Sequence, residues 1–183
     1  DTIVVIGAGG VGLNVIQAAD LVGASQIVAI DRVPEKESLA REFGATDFIV
    51  SEGDDFDAVA AVREVLPLGA HHSFEVVGHT GLLSDAINMT RAGGNVCAVG
   101  VPDLTATVTY GFQSLHQNKQ LMGIRAGGAK PRKDFPMLAD LYMRGKLKLD
   151  EMISNTSGLD GIQDAFDAMK SGTEARTVLL PHG

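Results

Sequence analysis

The sequence predicts a doubly wound α/β fold. A parallel sheet of six strands in the order 3-2-1-4-5-6 carries helices on both faces and is followed by a helical tail with one short strand. Three observations predict it. Apolar runs of strand length alternate with helical patterns, which is the mark of repeated βαβ units. The runs are almost continuous in Ile, Val and Ala, as expected of strands buried on both faces. A glycine-rich turn, Gly7-Ala8-Gly9-Gly10-Val11-Gly12, joins the first run to a helical pattern. Right-handed crossovers then give the stated order, with a crevice at the switch point beside strand one.

Strands are expected over 3–6, 27–30, 47–50, 73–77, 95–100 and 121–124, and helices over 11–22, 35–43, 57–65, 82–90 and 112–118. The first strand lies in the β-branched run Thr2-Ile3-Val4-Val5-Ile6, residue types that suit a pleated, buried surface. In the first helix Asn14, Gln17 and Asp20 lie three apart and make one narrow polar stripe. The rest of its circumference is apolar, so it should be wedged between the sheet and another element. Gln26-Ile27-Val28-Ala29-Ile30 forms the second strand, and Asp31 closes it. Pro34 falls at the first turn of the second helix, where its missing N–H costs nothing, and Gly44 ends that helix. Asp54, Asp55 and Asp57 read as a solvated helix start, where carboxylates favour the positive end of the dipole.

After residue 124 the rhythm changes. Arg125-Ala126-Gly127-Gly128 is a turn, 131–143 a helix and 149–153 a short apolar segment. An amphipathic helix over 159–171 is stopped by Gly172, and 177–180 is a last strand. This tail shows one strand-like terminus and no sheet of its own.

The chain has 183 residues, enough for one domain with an appendage, and its 45% hydrophobic and 21% charged residues are ordinary for an α/β protein. A net charge of −8 argues against a nucleic-acid partner. Cys97 is the sole cysteine, which rules out an intrachain disulfide framework and fits a reducing, cytoplasmic compartment. No run of residues is long and apolar enough to cross a membrane, so no membrane partner is expected. The chain opens on a core strand without a Met, which reads as a piece of a longer polypeptide.

The glycine turn carries the chemistry. Gly7 allows the tight turn, Gly9 lets a pyrophosphate approach the backbone, and Gly12 lets the helix pack closely on the strand. The N–H groups of Gly10, Val11 and Gly12 open the helix and offer partial positive charge to phosphates. Asp31 can accept hydrogen bonds from both adenosine ribose hydroxyls; the alternative is a strand-end turn residue. Arg32 beside it could favour a 2′-phosphate, but the carboxylate repels that phosphate, so NAD is expected over NADP. Cys97 sits mid-strand without companions at zinc-ligand spacing and is read as a buried small hydrophobe. His71 and His72 precede strand four and are read as solvated loop residues, pointing to opposite faces. His79 follows Gly78 near the cleft mouth; His116 and His182 carry no signal. Glu75, inside a strand, requires a buried partner that the sequence does not name.

Four segments carry a family resemblance: Gly7-Ala8-Gly9-Gly10-Val11-Gly12-Leu13; Ile30-Asp31 with Leu39-Ala40-Arg41-Glu42-Phe43-Gly44-Ala45-Thr46; Phe74-Glu75-Val76-Val77-Gly78; and Gly93-Gly94 through Val99-Gly100-Val101-Pro102. The closing Ser171-Gly172-Thr173-Glu174-Ala175-Arg176-Thr177-Val178-Leu179 agrees as well. In order and spacing these resemble the cofactor-binding half, a Rossmann domain, of the zinc-type medium-chain alcohol dehydrogenases. The resemblance implies an NAD(H)-binding domain that positions nicotinamide for hydride transfer from an alcohol, giving an aldehyde or ketone. It implies that Asp31 and Lys36 lie at the adenosine ribose, and that Val76, Val77 and Gly78 line the adenine and ribose side. Val99, Gly100 and Val101 would flank the nicotinamide, Ala126 would offer backbone to its carboxamide, and Arg176 would return to the pyrophosphate. Arg125 departs from the pattern: its position resembles a substrate-pocket site that is often apolar, which leaves the substrate class open.

Residues 1–124 are then expected to form the dinucleotide-binding domain, and 125–183 a segment that packs on or returns to an absent catalytic domain. That domain would carry the zinc ligands and meet the alcohol or aldehyde. This chain is expected to bind no zinc, to hold no catalytic residue and to be inactive alone. The family also implies a homodimer or homotetramer. Two other readings stay open: a zinc-free quinone or enoyl reductase, and a stand-alone NAD-binding module.

Overall fold

A computed structural model describes residues 1–53, 55–172 and 174–181. Asp54, Thr173 and His182 lie outside the described residues, so the acidic helix start is described only from Asp55 on. The elements in order are β1 (Thr2–Ile6), α1 (Gly10–Leu21), β2 (Gln26–Asp31), a 3-10 turn (Pro34–Lys36), α2 (Glu37–Glu42), β3 (Asp47–Val50), α3 (Ala58–Val65) and β4 (Ala70–Glu75). Then come α4 (Thr80–Met89), β5 (Thr90–Ala98), α5 (Phe112–His116), β6 (Gln120–Gly123), α6 (Pro131–Met143), β7 (Asn155–Gly158), α7 (Ile162–Ser171) and β8 (Thr177–Leu180). The sheet is parallel throughout, in the order β3-β2-β1-β4-β5-β6, as the sequence predicts.

Alternate residues of the central strands bury against opposite faces. Ile3, Val5, Ile27 and Ala29 pack with Leu13, Ile16, Ala40 and Phe43 beneath α1 and α2. Val4, Ile6, Val28 and Ile30 pack with Val62, Ile87 and Met89 beneath α3 and α4. Each fully buried large aliphatic side chain contributes about 1.5–3 kcal/mol. Asp57 caps α3, its carboxylate accepting from the Ala60 N–H at 2.8 Å. The last carbonyls of α4 are satisfied by side chains: Thr90 donates to Ala86 O, Lys119 to Ile87 O and Arg63 to Asn88 O. Burial, and then the Arg63 charge, lower the Lys119 pKa, and its ammonium still suits the negative end of the helix.

The structure departs from the sequence reading at β5, which starts at Thr90 rather than 95 and pairs Thr90 with Ala70, and in four further places. The second helix is a 3-10 turn followed by a short α2, because Lys36 N bonds Val33 O while its ammonium is drawn back to Asp31. Strand four starts at Ala70, so His71 and His72 belong to it and are half-buried. Both imidazoles reach the Asp1 carboxylate, at 3.4 and 3.2 Å, instead of diverging into solvent. Burial is the first cause that holds both below the ordinary histidine pKa; the next is the Arg91 charge for His71 and the chain's N-terminal ammonium for His72.

The last departure is in the tail, which has a sheet of its own: β7 and β8 pair in parallel, Asn155 opposite Thr177 through Gly158 opposite Leu180. The polar stripe of α1 is where this tail attaches. The Gln17 amide donates to Lys148 O at 3.1 Å and accepts from Lys148 N at 2.9 Å, as a neighbouring strand would. Met152, fully buried, enters the core beneath α1.

Candidate functional site

The carboxyl edge of the sheet, where β1 and β4 diverge, gathers most of the residues singled out from sequence. Gly7 leaves β1 with φ +104°, and a Cβ there would stand 2.8 Å from Val77 Cγ2 and 3.1 Å from Val76 Cγ2. A Cβ on Gly12 would stand 1.7 Å from Gly7 O, so strand and helix touch backbone to backbone. At Gly9 a Cβ would meet nothing within 4 Å, so this stretch of backbone is open to a ligand. The first turn of α1 has no side-chain cap and no acidic residue. Its free N–H groups and partial positive charge therefore remain available to an anion. Val11 stands 54% exposed beside them. A Cβ on Gly10 would lie 3.0 Å from Ala175 O and 3.8 Å from the Arg176 guanidinium, so the tail brings a permanent cation over the same helix end.

Asp31 at the tip of β2 is almost buried, its side chain 8% exposed. Its carboxylate accepts from Ala8 N at 2.8 Å, from Val33 N at 3.0 Å and from Lys36 Nζ at 3.0 and 3.2 Å. It thus ties the glycine turn to the chain that follows β2. Arg32 is exposed beside it.

On the other side of the crevice, Glu75 ends β4 at 2% exposure. One carboxylate oxygen accepts from Val77 N at 2.9 Å, Gly78 N at 2.8 Å and His79 N at 3.4 Å. Its backbone carbonyl accepts from Val99 N and Gly100 N. The missing partner of Glu75 is therefore the chain just after it, curled around the carboxylate. A Cβ on Gly100 would fall 2.0 Å from Gly78 N, and one on Gly78 2.8 Å from Val101 O, so these two turns are locked together. Val77 and Val101 project from them, 56% and 79% exposed. His79 is exposed at the N-cap of α4.

At the far strand, Ile124 N donates to Ala98 O, which sets Arg125 and Ala126 on the same carboxyl edge. Ala126 has φ +48°, rare for a residue with a side chain. Cys97 is buried in β5, and burial pushes its thiol pKa up. Among the described residues, no three His, Cys, Asp or Glu side chains converge to hold a metal ion. His71 and His72 stand on β4 at the opposite, amino edge, paired across to Thr2 and Asn95.

The arrangement is a crevice with a phosphate-ready helix end at its centre, a carboxylate on one side and exposed apolar side chains on the other. That combination suits a dinucleotide laid across the carboxyl edge of the sheet.

Residues 10–144 match the sequence profile described as "Zinc-binding dehydrogenase". "Alcohol dehydrogenase-like 6" of Arabidopsis thaliana is 37% identical over 97% of this chain and 47% of its own length. An S-(hydroxymethyl)glutathione dehydrogenase of Paracoccus denitrificans is 35% identical over 97% of this chain and 49% of its own. The crystal structure of benzyl alcohol dehydrogenase from Acinetobacter calcoaceticus superposes with TM-score 0.91 at 31% identity, over 97% of this chain and 49% of that one. A Sinorhizobium meliloti structure solved with NADP bound gives TM-score 0.85 at 26% identity, over 98% of this chain and 52% of that one. The chain spans about half the length of the curated relatives it matches.

Proposed function

The chain belongs to the zinc-binding dehydrogenase family, and from that premise we propose that it is the NAD(H)-binding part of a zinc-dependent alcohol dehydrogenase. The observation that carries this reading is the uncapped end of α1 beside the open backbone of Gly9, with the Asp31 carboxylate within the same turn network. The N–H groups of Gly10, Val11 and Gly12, with Arg176, would hold the pyrophosphate. Asp31, helped by Lys36, would hold the adenosine ribose, with Arg32 at its rim. Val76, Val77 and Gly78 would line the adenine and ribose side, and Val99, Gly100, Val101 and the Ala126 backbone the nicotinamide. When bound, the nicotinamide supplies hydride acceptance from an alcohol carbon, giving an aldehyde or ketone. This chain's part is to bind, orient and shield. Glu75 fixes Val77, Gly78 and His79, and the Gly78–Gly100 contact fixes the floor.

In this reading zinc is held outside this chain. Cys97 is buried and alone, and no ligand cluster forms among the described residues. Its ligands belong to the remainder of the enzyme, which also meets the alcohol. In this reading residues 1–124 are the dinucleotide-binding domain, and 125–183 return to that remainder through the β7–β8 pair. The protein is placed in the cytoplasm, in keeping with its free cysteine. No helix is long and apolar enough to cross a membrane among the described residues.

Calorimetric titration should show NADH binding at least about tenfold tighter than NADPH, a difference of about 1.4 kcal/mol. Equal or tighter NADPH binding overturns the preference for NAD, and no binding of either overturns the function. After zinc reloading and dialysis, this chain alone should retain no stoichiometric zinc and oxidise no alcohol.

A homodimer or homotetramer would join through β6. It is the edge of the six-stranded sheet, and Leu121 and Met122 on it are 38% and 41% exposed. An apolar open edge is a template for pairing. Light scattering should show at least a dimer, and Met122→Lys should yield monomers. A dimer that survives this change but disappears on removing the residues after Gly172 would move the seam to the β7–β8 pair.

A further inference from the structure

We infer that Arg125 selects substrates carrying a carboxylate or phosphate tail, an inference that rests on the function proposed above and names the substrate class. The chain carries 15 basic residues against 23 acidic ones. Between 125 and 133 the balance reverses: Arg125, Lys130, Arg132 and Lys133 occur with no acid among them. All four are exposed, and none forms an ion pair with a described residue. The nearest carboxylate in sequence, Asp134, is taken up by the Lys130 backbone N–H at 2.6 Å.

Position separates Arg125 from an ordinary solvated cation. β5 and β6 run in register from Asn95 opposite Gln120 to Ala98 opposite Gly123, and Ile124 N extends the ladder to Ala98 O. Arg125 follows at the carboxyl end of β6, the end at which β5 runs on into Gly100, whose backbone packs on Gly78 at the crevice. Arg125 therefore stands on the β4–β6 half of the carboxyl edge, whereas Asp31 stands on the β1–β3 half. A dinucleotide laid across such a sheet puts one mononucleotide over each half. With the ribose-binding carboxylate on one side, the reactive end falls on the side of Arg125.

The turn also fixes the backbone from which the arginine springs. Ala126, Gly127 and Gly128 have φ of +48°, +67° and +63°, and Gly128 N bonds back to Arg125 O at 3.0 Å. A guanidinium on that turn, with no ion pair to a described carboxylate, can offer paired N–H donors to a planar anion, and the nearby Lys130, Arg132 and Lys133 add positive charge to the same segment.

The test uses the full-length enzyme with NAD and two matched alcohols, hexanol and ω-hydroxyhexanoate. In each, the carbinol carbon gives a hydride to NAD and the hydroxyl loses a proton, so only the tail differs. In Arg125→Leu the ratio of kcat/KM for the hydroxy acid over that for hexanol should fall at least about tenfold. Arg125→Lys should recover part of it, and added salt should shrink the wild-type ratio. A ratio unchanged within about twofold in Arg125→Leu overturns the inference. An enzyme that oxidises neither alcohol counts against the proposed function. Calorimetric titration of adipate into the NADH-saturated protein then decides Arg125 alone: binding lost in Arg125→Leu supports the inference, and no wild-type binding, or equal binding in both proteins, overturns it.

Discussion

Adding one methyl group at Gly12 is expected to lower the urea midpoint steeply, while the same addition at Gly9 leaves it nearly unchanged and weakens cofactor binding. The two glycines lie three residues apart in one turn, and the space around them is opposite. A Cβ at Gly12 would fall 1.7 Å from Gly7 O and 2.8 Å from Gly7 C. Both are backbone atoms of the turn itself, so no rotamer change relieves the clash. Relief requires α1 to lift from β1, and that uncovers Leu13 and Ile16, each fully buried. Overpacking that side chains can absorb costs about 1–3 kcal/mol. A backbone collision should cost the upper end of that range or more, a large share of a stability of about 5–15 kcal/mol. Gly9 has φ −87°, which alanine adopts, and open space around it. There the fold loses only a modest preference for glycine at the N-cap, below about 1 kcal/mol. The methyl group would instead occupy ground proposed for the pyrophosphate. Urea titration and NADH calorimetry on both variants separate the effects. An unchanged midpoint for Gly12→Ala would contradict the close contact, and unchanged NADH affinity for Gly9→Ala would place the phosphates elsewhere.

The legible parts of this fold are those written in side chains with period and context. β1 and β2 are runs of Ile, Val and Ala buried on both faces, and the glycine turn between β1 and α1 has one geometry that suits it. The order of the sheet follows from handedness once the strands are placed. Hidden parts are those where the backbone, not a side chain, is the partner. Glu75 looks unpaired in sequence because its donors are the N–H groups of Val77, Gly78 and His79, which every residue but proline possesses. β7 reads Asn-Thr-Ser-Gly, without an apolar residue, and forms only because β8 offers it a parallel edge. His71 and His72 interrupt the apolar pattern of β4 at the amino edge, where half-burial beside Asp1 tolerates them. The polar stripe Asn14-Gln17 is visible in sequence, but its partner, the backbone of Lys148, lies far along the chain and has no residue-specific mark.

Asp31→Asn is expected to weaken NADH binding by about ten- to a hundredfold and to narrow or abolish the preference over NADPH. Among the described residues the carboxylate is the one acidic group bonded into the glycine turn, through Ala8 N. Hydrogen bonds from ribose hydroxyls to an ionised carboxylate are worth about 1.5–3 kcal/mol, which is the basis of the predicted loss. A 2′-phosphate at the same place would meet a like charge. At about 4 Å and an effective dielectric near 20, repulsion between unit charges is about 4 kcal/mol. Lys36 offsets part of that, since its ammonium lies 3.0 Å from the same carboxylate. Removing the charge but keeping the shape frees Lys36 and the exposed Arg32 to serve a phosphate instead. NADPH affinity should therefore rise or hold while NADH affinity falls. Asparagine can still accept from Ala8 N but loses the bond from Val33 N, so the urea midpoint should fall by the worth of about one hydrogen bond, and titrating both cofactors well below that midpoint separates lost recognition from lost fold. Parallel titrations of both cofactors into wild type and Asp31→Asn measure it. If the two affinities fall by the same factor, Asp31 serves only to brace the turn, and the cofactor preference must come from elsewhere in the site.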